Sequence, residues 1–468
     1  KPGESQTIVL SFDLRDGASY DEAAAAWVIE AGDYLIRVGN SSRNTTVSAV
    51  VAMEETKTVR QCRNCCAPSD EMELLTPEDN RNSVNAEKKN ETEMIPDGVP
   101  VLKADPAAFV TETIDYTEPE LTETEQESEL LDGLTTEEQA ELLRGGELQR
   151  VPEGALDIHG AGGKTATSLL DKGIRNVVFS DGPAGVNIAN KVYALPNGGF
   201  APANIPERYN WGMLAKMMQA QMAKTQGIIV YRYATAWPVE MLLAQTWNTA
   251  LLKEIGSAVG EEMDAFGITV WLSPGMNIHR NPLGGRTFEY YSEDPVLTGE
   301  MAAALTNGVQ SHEGLAACIK HFCCNNTEDN RNGISSNVSE RALREIYLKG
   351  FEIAVRKSQP GTIMSSYNML NHIYTANNRE LLTDILRCEW GFEGLVMTDW
   401  GSCGEKAGRP EACAPAGNDL IMPGGDYDRE RVLEAVRSGE MSPETVRKSA
   451  CRVLRLMLKA RMPVLTEE

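Results

Sequence analysis

The sequence predicts an α/β protein, either a (β/α) barrel or a doubly wound sheet, preceded by part of an antiparallel β-sandwich. Short apolar strands alternate with amphipathic helices from Leu134 onward, which is typical of a parallel sheet. The first 66 residues instead alternate apolar and polar side chains with a period of two, which indicates antiparallel strands. Neither Gly-rich nucleotide-binding motif follows any of the strands, and this disfavours nucleotide-binding open sheets.

Composition excludes several classes of function. The chain has 468 residues and 44 basic against 68 acidic side chains, a net charge of −24. Such a surface repels nucleic acid, and no apolar run approaches the roughly 20 residues of a membrane helix. Ten cysteines in so long a chain, several of them in apparent core segments, indicate free thiols in a reducing compartment rather than a disulfide framework. We therefore expect a cytoplasmic protein.

A metal site is not expected. The cysteines at 62, 65 and 66 have the spacing of half a zinc site, but no second Cys/His pair with matching spacing stands nearby. The chain has five histidines and no H-x-H or H-E-x-x-H motif, so a metal-dependent barrel hydrolase is a weak alternative. No cofactor is predicted.

We divide the chain into residues 1–66, part of a β-sandwich, 67–128, an acidic linker, and 129–468, the α/β domain. The first segment opens with "KPGESQTIVLSFDL", already in strand-like alternation and without an initiator Met, so we expect it to continue from an upstream segment. The linker is rich in Glu, Asp, Asn, Thr and Pro, with one ordered stretch expected around residues 99–110. The third segment begins with "LTTEEQAELLRGG", which predicts a helix with a capping box at Thr135 or Thr136.

Further elements of the third segment follow in order. The predicted strands are "IRNVVFS", "ITVWLS", "GLAACIKHF", "GTIMSSYN", "GLVMTDW" and "NDLIMPG". The predicted helices are Asn248–Ala265, Pro295–Ser311, Ser339–Arg356 and Arg379–Trp390.

Polar and aromatic side chains gather where these strands end, and this is where a (β/α) barrel places its chemistry. Asp and Arg, Lys and His side chains can hydrogen-bond the hydroxyls of a neutral sugar ring, while Tyr and Trp offer flat apolar faces to it. Each residue alone has a structural explanation: an aspartate can form a turn, an arginine can pair with Glu289 or Glu293, and a histidine can be buried in a core. Their common position favours a site formed by Asp181, Arg286, Lys320, His321, Tyr367, Asp399 and Trp400.

Asp399 ends the apolar strand "GLVMT". It could be the N-cap of a following helix or a catalytic carboxylate. Retaining glycosidases use one carboxylate as nucleophile and a second, protonated carboxyl about 5–5.5 Å away as acid/base. Lys320 and Arg286 would favour the ionised form of Asp399, but the sequence offers no second carboxylic acid in an equivalent position.

These motifs resemble glycoside hydrolase family 3, in its β-glucosidase-like branch. The resemblance covers Leu134 to the C-terminus through "FSDGPAGV", "SPGMNIHRNPLGGRTFEYYSEDP", "IKHFCCNNTEDNRNG", "IMSSYNMLN" and "GFEGLVMTDW". Residues 1–64 are similar to the C-terminal part of the fibronectin-III-like domain of that family. The resemblance implies a (β/α)8-type TIM barrel preceded by a partial fibronectin-III-like β-sandwich.

The resemblance also implies roles. Asp399 corresponds to the nucleophile that forms the glycosyl-enzyme, and Asp181 to the residue that holds the outer hydroxyls of the sugar. The remaining sugar-binding positions are Arg286, Lys320, His321, Met364, Tyr367 and Trp400. The "KHFCCNNTE" loop lacks the histidine-aspartate dyad of the N-acetylglucosaminidase branch, which argues against that activity.

The sequence departs from the family in two respects. The sandwich precedes the barrel, as in permuted members, and the upstream (α/β) sandwich domain that usually supplies the Glu acid/base is absent. We therefore expect a retaining exo-β-glucosidase for terminal β-D-glucosyl residues of an oligosaccharide or glycoside, completed by an upstream domain or a second polypeptide. A β-xylosidase, or a sugar-binding half that is inactive on its own, remains an alternative.

Overall fold

The computed structural model describes residues 3–41, 44–73, 95–146, 154–158, 160–194, 200–203 and 227–460. The chain divides into two compact units. The first comprises Lys1–Asp115 with Val338–Glu345, and the second Tyr116–Asn337 with Ile346–Glu468. Residues 74–94 of the predicted linker lie outside the described residues.

The first unit contains two small sheets that share one core. Its strands are β1 (Ser19–Asp21), β2 (Ala26–Ile29), β3 (Gly32–Gly39), β4 (Thr45–Met53), β5 (Lys57–Gln61), β6 (Val101–Lys103) and β7 (Glu112–Thr113). They form sheets of order β1-β2-β5-β7 and β3-β4-β6. The pairs β1/β2, β2/β5 and β3/β4 are antiparallel, as the period-two alternation predicts. Side chains from both sheets pack in a single cluster that includes Tyr20, Trp27, Ile29, Met53 and Val59.

Part of the predicted linker is strand. Strand β6 pairs in parallel with β4, and β7 pairs in parallel with β5. The stretch expected to be ordered around residues 99–110 therefore adds an edge strand to the first unit. Its side chains in β6 are exposed, which explains why the sequence gives no apolar alternation there.

A six-stranded sheet forms the centre of the second unit. The strands of this unit are β8 (Gly163–Lys164), β9 (Val178–Ser180), β10 (Lys191–Ala194), β11 (Phe200–Pro202), β12 (Ile228–Tyr231), β13 (Val270–Trp271), β14 (Ala316–Phe322), β15 (Ser335–Ser336), β16 (Thr362–Ser365), β17 (Met369–Leu370), β18 (Ile373–Tyr374) and β19 (Leu395–Thr398). The central sheet has the order β19-β16-β14-β13-β9-β8. Its neighbours are parallel except for β8 and β9, which are antiparallel. The α/β class is thus confirmed, whereas a complete (β/α)8 barrel stays a prediction.

Helices precede, separate and follow these strands along the chain. They are α1 (Glu125–Asp132), α2 (Thr136–Glu141), α3 (Glu240–Ala244), α4 (Thr249–Phe266), α5 (Pro295–Val309), α6 (Glu340–Ala342), α7 (Lys349–Ser358), α8 (Cys413–Ala416), α9 (Asp426–Ser438) and α10 (Pro443–Lys459), with π-helical Leu343–Tyr347 and Glu380–Glu389. The capping box predicted before α2 is present, at Thr135 with Glu138. Among the described residues, no helix is both long enough and apolar enough to cross a bilayer.

The helix predicted over Ser339–Arg356 is interrupted. A π-helical segment separates α6 from α7, and the first part of this stretch belongs to the first unit. There Glu340 accepts a hydrogen bond from the backbone N–H of Cys65, and Arg344 donates to the carbonyl of Arg63. These long-range contacts cannot be read from the local apolar period.

Candidate active site

One cavity of about 440 Å³ in the second unit gathers the predicted site residues. Its lining includes all eight of them: Asp181, Arg286, Lys320, His321, Met364, Tyr367, Asp399 and Trp400. Strands β9, β14, β16 and β19 and the loop after β13 supply them. Because these strands are parallel, their carboxyl ends lie at one edge of the sheet, and residues distant in sequence meet there.

Asp399 follows β19 directly and is buried, with 7% of its surface exposed. Its Oδ1 accepts a hydrogen bond of 2.7 Å from the backbone N–H of Trp400. Its Oδ2 has no hydrogen-bond partner among the described residues and lies 3.5 Å from Nε2 of His321. One carboxylate oxygen is therefore fixed by the backbone, while the other is buried without a hydrogen-bond partner among the described residues.

Two opposing effects act on the charge of Asp399. Burial raises the pKa of this carboxyl above its usual value, and the positive charges of Lys320 and Arg286 act in the opposite direction. The two cations thus limit the cost of ionising a carboxyl that is almost out of contact with water.

Lys320 and Asp181 form an ion pair in the cavity wall, with Nζ and Oδ1 2.7 Å apart. The Lys320 side chain is almost fully buried, whereas about half of the Asp181 side chain is exposed. Burial alone would raise the pKa of Asp181, but the Lys320 ammonium holds it below its usual value. Burial alone would lower the pKa of Lys320, but Asp181 and Glu289 raise it. Both groups are therefore charged at neutral pH.

Arg286 lines the cavity and is also paired with Glu289. The sequence left two partners open for this arginine, and the structure selects the one three residues later. Although burial acts to lower the pKa of Arg286, the neighbouring Tyr290 and Glu289 keep it above its usual value. The ion pair with Glu289 holds the guanidinium of Arg286 in the cavity wall. The guanidinium has five N–H donors, so it can still donate hydrogen bonds to a ligand.

His321 is fully enclosed by polar neighbours. Burial, followed by the charges of Arg286 and Lys320, lowers its pKa far below the usual value, so the imidazole is neutral. Nδ1 lies 3.2 Å from the hydroxyl of Tyr290, which accepts a hydrogen bond from the amide of Asn325 at 3.2 Å. The Tyr290 hydroxyl can then donate to Nδ1, which leaves the imidazole proton on Nε2, the nitrogen near Asp399.

Two aromatic residues shape the cavity mouth. The Tyr367 hydroxyl donates to the backbone carbonyl of Trp400 at 2.9 Å, and the Trp400 indole N–H donates to the carbonyl of Gly162 at 3.0 Å. Both rings are thereby held in fixed orientations. The guanidinium of Arg331 lies over the Tyr367 ring, 4.1 Å from its centre.

Sequence reasoning missed several lining residues. Arg331, Asn187, Leu272 and the backbone of residues 160–162 also line the cavity. Arg331 lies in the polar loop that follows β14, where a lone arginine is indistinguishable from a solvated surface residue. Its contact with Tyr367 depends on how two loops fold.

The arrangement suits a neutral, polyhydroxylated molecule. The lining contains both cations and carboxylates, which can each bind hydroxyl groups, and aromatic rings, which offer apolar faces. Among the described residues, no cluster of three or more His, Cys, Asp or Glu side chains could hold a metal ion. Among the described residues that line the cavity, Asp181 and Asp399 are the only ones with a carboxylate.

Comparison with known proteins identifies relatives of this chain. Residues 210–456 match the glycosyl hydrolase family 3 N-terminal domain, and residues 1–42 match a fibronectin type III-like domain. The chain is 33% identical to a β-glucosidase of Ruminococcus albus over 98% of its length and 45% of that protein's. It is 45% identical to an exo-α-(1→6)-L-arabinopyranosidase of Bifidobacterium breve over 49% of its length and 29% of that protein's.

A solved structure supports the same relationship. The β-glucosidase 3B of Thermotoga neapolitana, in complex with glucose, matches 72% of this chain and 43% of its own with a TM-score of 0.60 and 43% identity. The chain spans about half the length of the first curated relatives that it matches. Because the family's own domain matches more than half of the sequence, the chain belongs to glycosyl hydrolase family 3.

Proposed function

We propose that this chain supplies the nucleophile and the sugar-binding wall of a retaining exo-β-glucosidase that hydrolyses terminal β-D-glucosyl residues. The observation that supports this most directly is the Asp399 carboxylate. One of its oxygens is buried and has no hydrogen-bond partner among the described residues, and the carboxylate lines a cavity together with Asp181, Lys320 and Arg286. Such a site binds hydroxyls around a ring and presents a carboxylate to one of its carbons.

In this mechanism Oδ2 of Asp399 attacks the anomeric carbon, and the bond to the leaving oxygen breaks. The glycosyl ester with Asp399 is then hydrolysed by water, which restores the original anomeric configuration. Asp181 and Lys320 bind hydroxyls of the same ring, while Arg286 and Lys320 favour the ionised nucleophile. His321, with its proton on Nε2, donates towards the region between the ring and Asp399.

The acid/base carboxyl is expected from an upstream (α/β) sandwich domain or a second polypeptide. Asp181 is the only other carboxylate in the described lining, and its ion pair with Lys320 holds its pKa low. A general acid needs a raised pKa to be protonated at neutral pH. Asp181 is thus suited to binding hydroxyls and unsuited to protonating the leaving group.

The sugar is proposed to be glucose. The Ruminococcus relative and the Thermotoga structure are named as β-glucosidases, the latter with glucose bound, but the Bifidobacterium relative is named as an arabinopyranosidase. Aryl β-glucoside, β-xyloside and α-L-arabinopyranoside substrates distinguish these sugars. We expect the glucoside to have the highest kcat/KM of the three.

We also infer that the central sheet closes into a (β/α)8-type barrel. Isolated bridges continue the hydrogen bonding beyond the six strands, linking Met397 with Leu420, Arg144 with Ile421, and Gly145 with Thr165. These short segments would supply the two remaining strands of the barrel, in which β8 runs antiparallel to β9. The domain boundaries 1–66, 67–128 and 129–468 are likewise part of this proposal.

Trapping the glycosyl-enzyme tests the function. Treatment with 2,4-dinitrophenyl 2-deoxy-2-fluoro-β-D-glucoside should attach one fluoroglucosyl group to Asp399, read by mass spectrometry of its peptide. Asp399→Asn should take up no label and should lose turnover by roughly 10⁴-fold or more, because the amide cannot act as the nucleophile. Glucose binding, measured by calorimetry, should remain.

The matched control is Asp264→Asn, which changes an exposed aspartate on α4. This variant should be labelled like the wild type. Label on another residue, or near-normal hydrolysis by Asp399→Asn, would refute the assignment of the nucleophile.

A further inference from the structure

Two buried cysteines lie in contact beside the proposed nucleophile. The Sγ atoms of Cys403 and Cys413 are 3.3 Å apart, and the residues are 7% and 1% exposed. Both are thiols in the structure. Because a disulfide requires an S–S distance of about 2.05 Å, the sulfurs need to approach by only roughly 1 Å to form one.

The pair is placed at the two ends of a surface loop. Cys403 comes four residues after Asp399, and Cys413 begins α8. Between them the chain is exposed at Glu405 and Lys406.

The first end of this loop is held to the proposed active site by the backbone. The N–H of Ser402 donates to the carbonyl of Asp399 at 3.2 Å. The N–H of Gly401 donates to the carbonyl of Met422 at 2.9 Å. A covalent bond at Cys403 would therefore act on the segment that carries Asp399 and Trp400.

The second end is held by polar contacts as well. The side-chain amide of Asn377 donates to Sγ of Cys413 at 3.4 Å and to the carbonyl of Arg409 at 2.9 Å, and its Oδ1 accepts from the N–H of Arg409 at 2.7 Å. These contacts hold the Cys413 end of the loop in place. The contact with Cys403 and the burial of the site raise the pKa of the Cys413 thiol, so this group is protonated at neutral pH.

We propose that Cys403 and Cys413 form an oxidation site, at which a small-molecule disulfide such as glutathione disulfide converts the two thiols into an intramolecular disulfide. The thiolate of Cys403, the more exposed of the two, attacks the oxidant, and one glutathione thiolate leaves. The thiolate of Cys413 then attacks Sγ of Cys403, and the second glutathione leaves. The protein loses two protons and two electrons, and the oxidant takes them up to become two glutathione thiols.

The disulfide should stabilise the loop. The two cysteines are ten positions apart, so the cross-link closes a short loop and lowers the conformational entropy of the unfolded chain. We expect the unfolding temperature to rise by roughly 2–4 °C. The unfolding temperature does not depend on turnover. The disulfide proposal can therefore be refuted or supported independently of the proposed function.

The test equilibrates the chain with glutathione disulfide, blocks remaining thiols by alkylation, and maps disulfides in a non-reduced tryptic digest. The mapping is done in Cys388→Ser, because Cys388 falls in the same tryptic peptide as Cys403. We expect the peptides of Cys403 and Cys413 to be joined, two fewer alkylated thiols, and the rise in unfolding temperature. Cys388→Ser itself should show the same rise as the wild type.

The variant Cys413→Ser should lose both the cross-link and the temperature rise. The digest of Cys388→Ser, which keeps both Cys403 and Cys413, makes the test decisive even if Cys413→Ser folds poorly. Full alkylation of both Cys403 and Cys413 at equilibrium with excess glutathione disulfide would overturn the proposal, as would a cross-link from Cys403 to any other cysteine.

Discussion

At the scale of single residues, burial and neighbouring charge oppose each other throughout the proposed site. Burial makes the charged forms of Asp399, Asp181 and Lys320 costly, and the opposite charges around them reduce that cost. Burial and three cations, Arg286, Lys320 and Arg331, all act to keep His321 neutral. A neutral imidazole has two tautomers, so its hydrogen-bond partner decides which nitrogen can donate to a ligand.

Tyr290 is expected to fix the tautomer of His321. Replacing it with Phe removes the hydroxyl that lies 3.2 Å from Nδ1. The proton can then move to Nδ1, which lies 3.4 Å from Oδ1 of Asn277. We expect Tyr290→Phe to convert His321 from the Nε2–H to the Nδ1–H form and to weaken glucose binding by roughly fivefold, the equivalent of about 1 kcal/mol.

Two-bond ¹⁵N–¹H spectra of the imidazoles measure this directly, since the chain has only five histidines. Tyr291→Phe is the matched control. Tyr291 is fully buried and, among the described residues, its hydroxyl has no hydrogen-bond partner. An unchanged His321 spectrum in Tyr290→Phe would show that the hydroxyl does not set the tautomer.

At the scale of elements, strands bring the side chains of the site together and helix ends hold the elements in place. The sheet order β19-β16-β14-β13-β9 makes neighbours of strands that are far apart in sequence. The capping box at Thr135 was predicted, but a second one at Thr124 was not. Its Glu127 is also bound by Arg455 of α10, with two contacts of 2.7 Å. The Glu127 carboxylate thus caps α1 and also binds α1 to α10, which lies more than 300 residues later in the sequence.

The Glu127–Arg455 pair predicts a pH-dependent stability. The hydrogen bonds from Arg455 lower the pKa of Glu127 from 4.5 to about 2. A lowered carboxylate pKa stabilises the fold above the unfolded value, and this contribution is lost as the pH falls from 4.5 towards 2. Glu127→Gln keeps the capping geometry but removes the charge, so it should lower the free energy of unfolding by about 1–3 kcal/mol at neutral pH.

Urea unfolding between about pH 7 and pH 3 checks this. The difference between wild type and Glu127→Gln should shrink as the pH falls. Glu125→Gln, which changes an exposed glutamate in the same turn of α1, should behave like the wild type. A difference that stays constant with pH would show that the charge of Glu127 is not responsible.

At the scale of the whole molecule, the described part of the second unit shows no protonated carboxyl in the cavity beside the proposed nucleophile, Asp399. The described cavity lining contains Asp399 and the ion-paired Asp181 as its carboxylates. A nucleophile alone can expel a good leaving group, but a sugar leaving group needs a proton. The activity of the chain should therefore depend on the leaving group.

We expect this chain to release dinitrophenol from an aryl β-glucoside and to leave cellobiose intact. The aryl substrate needs almost no protonation of its leaving oxygen, whereas cellobiose does. Rates for both substrates, measured with Asp399→Asn as the background control, give the comparison. Hydrolysis of cellobiose at a similar rate would mean that the chain contains its own acid/base, and no turnover of either would favour a sugar-binding role.

The sequence by itself determined the α/β class, the antiparallel first unit and, from the ends of its predicted strands, seven of the side chains that line the cavity, whereas Met364 came from the family resemblance. These follow from local patterns, because a strand or helix reveals its buried face through the period of its apolar residues. The tertiary structure alone decided that Arg286 pairs with Glu289, that Arg331 covers Tyr367, that β8 runs antiparallel and that Cys403 contacts Cys413. Each of these depends on the paths of loops and on contacts between distant segments, and neither leaves a periodic signal in the chain.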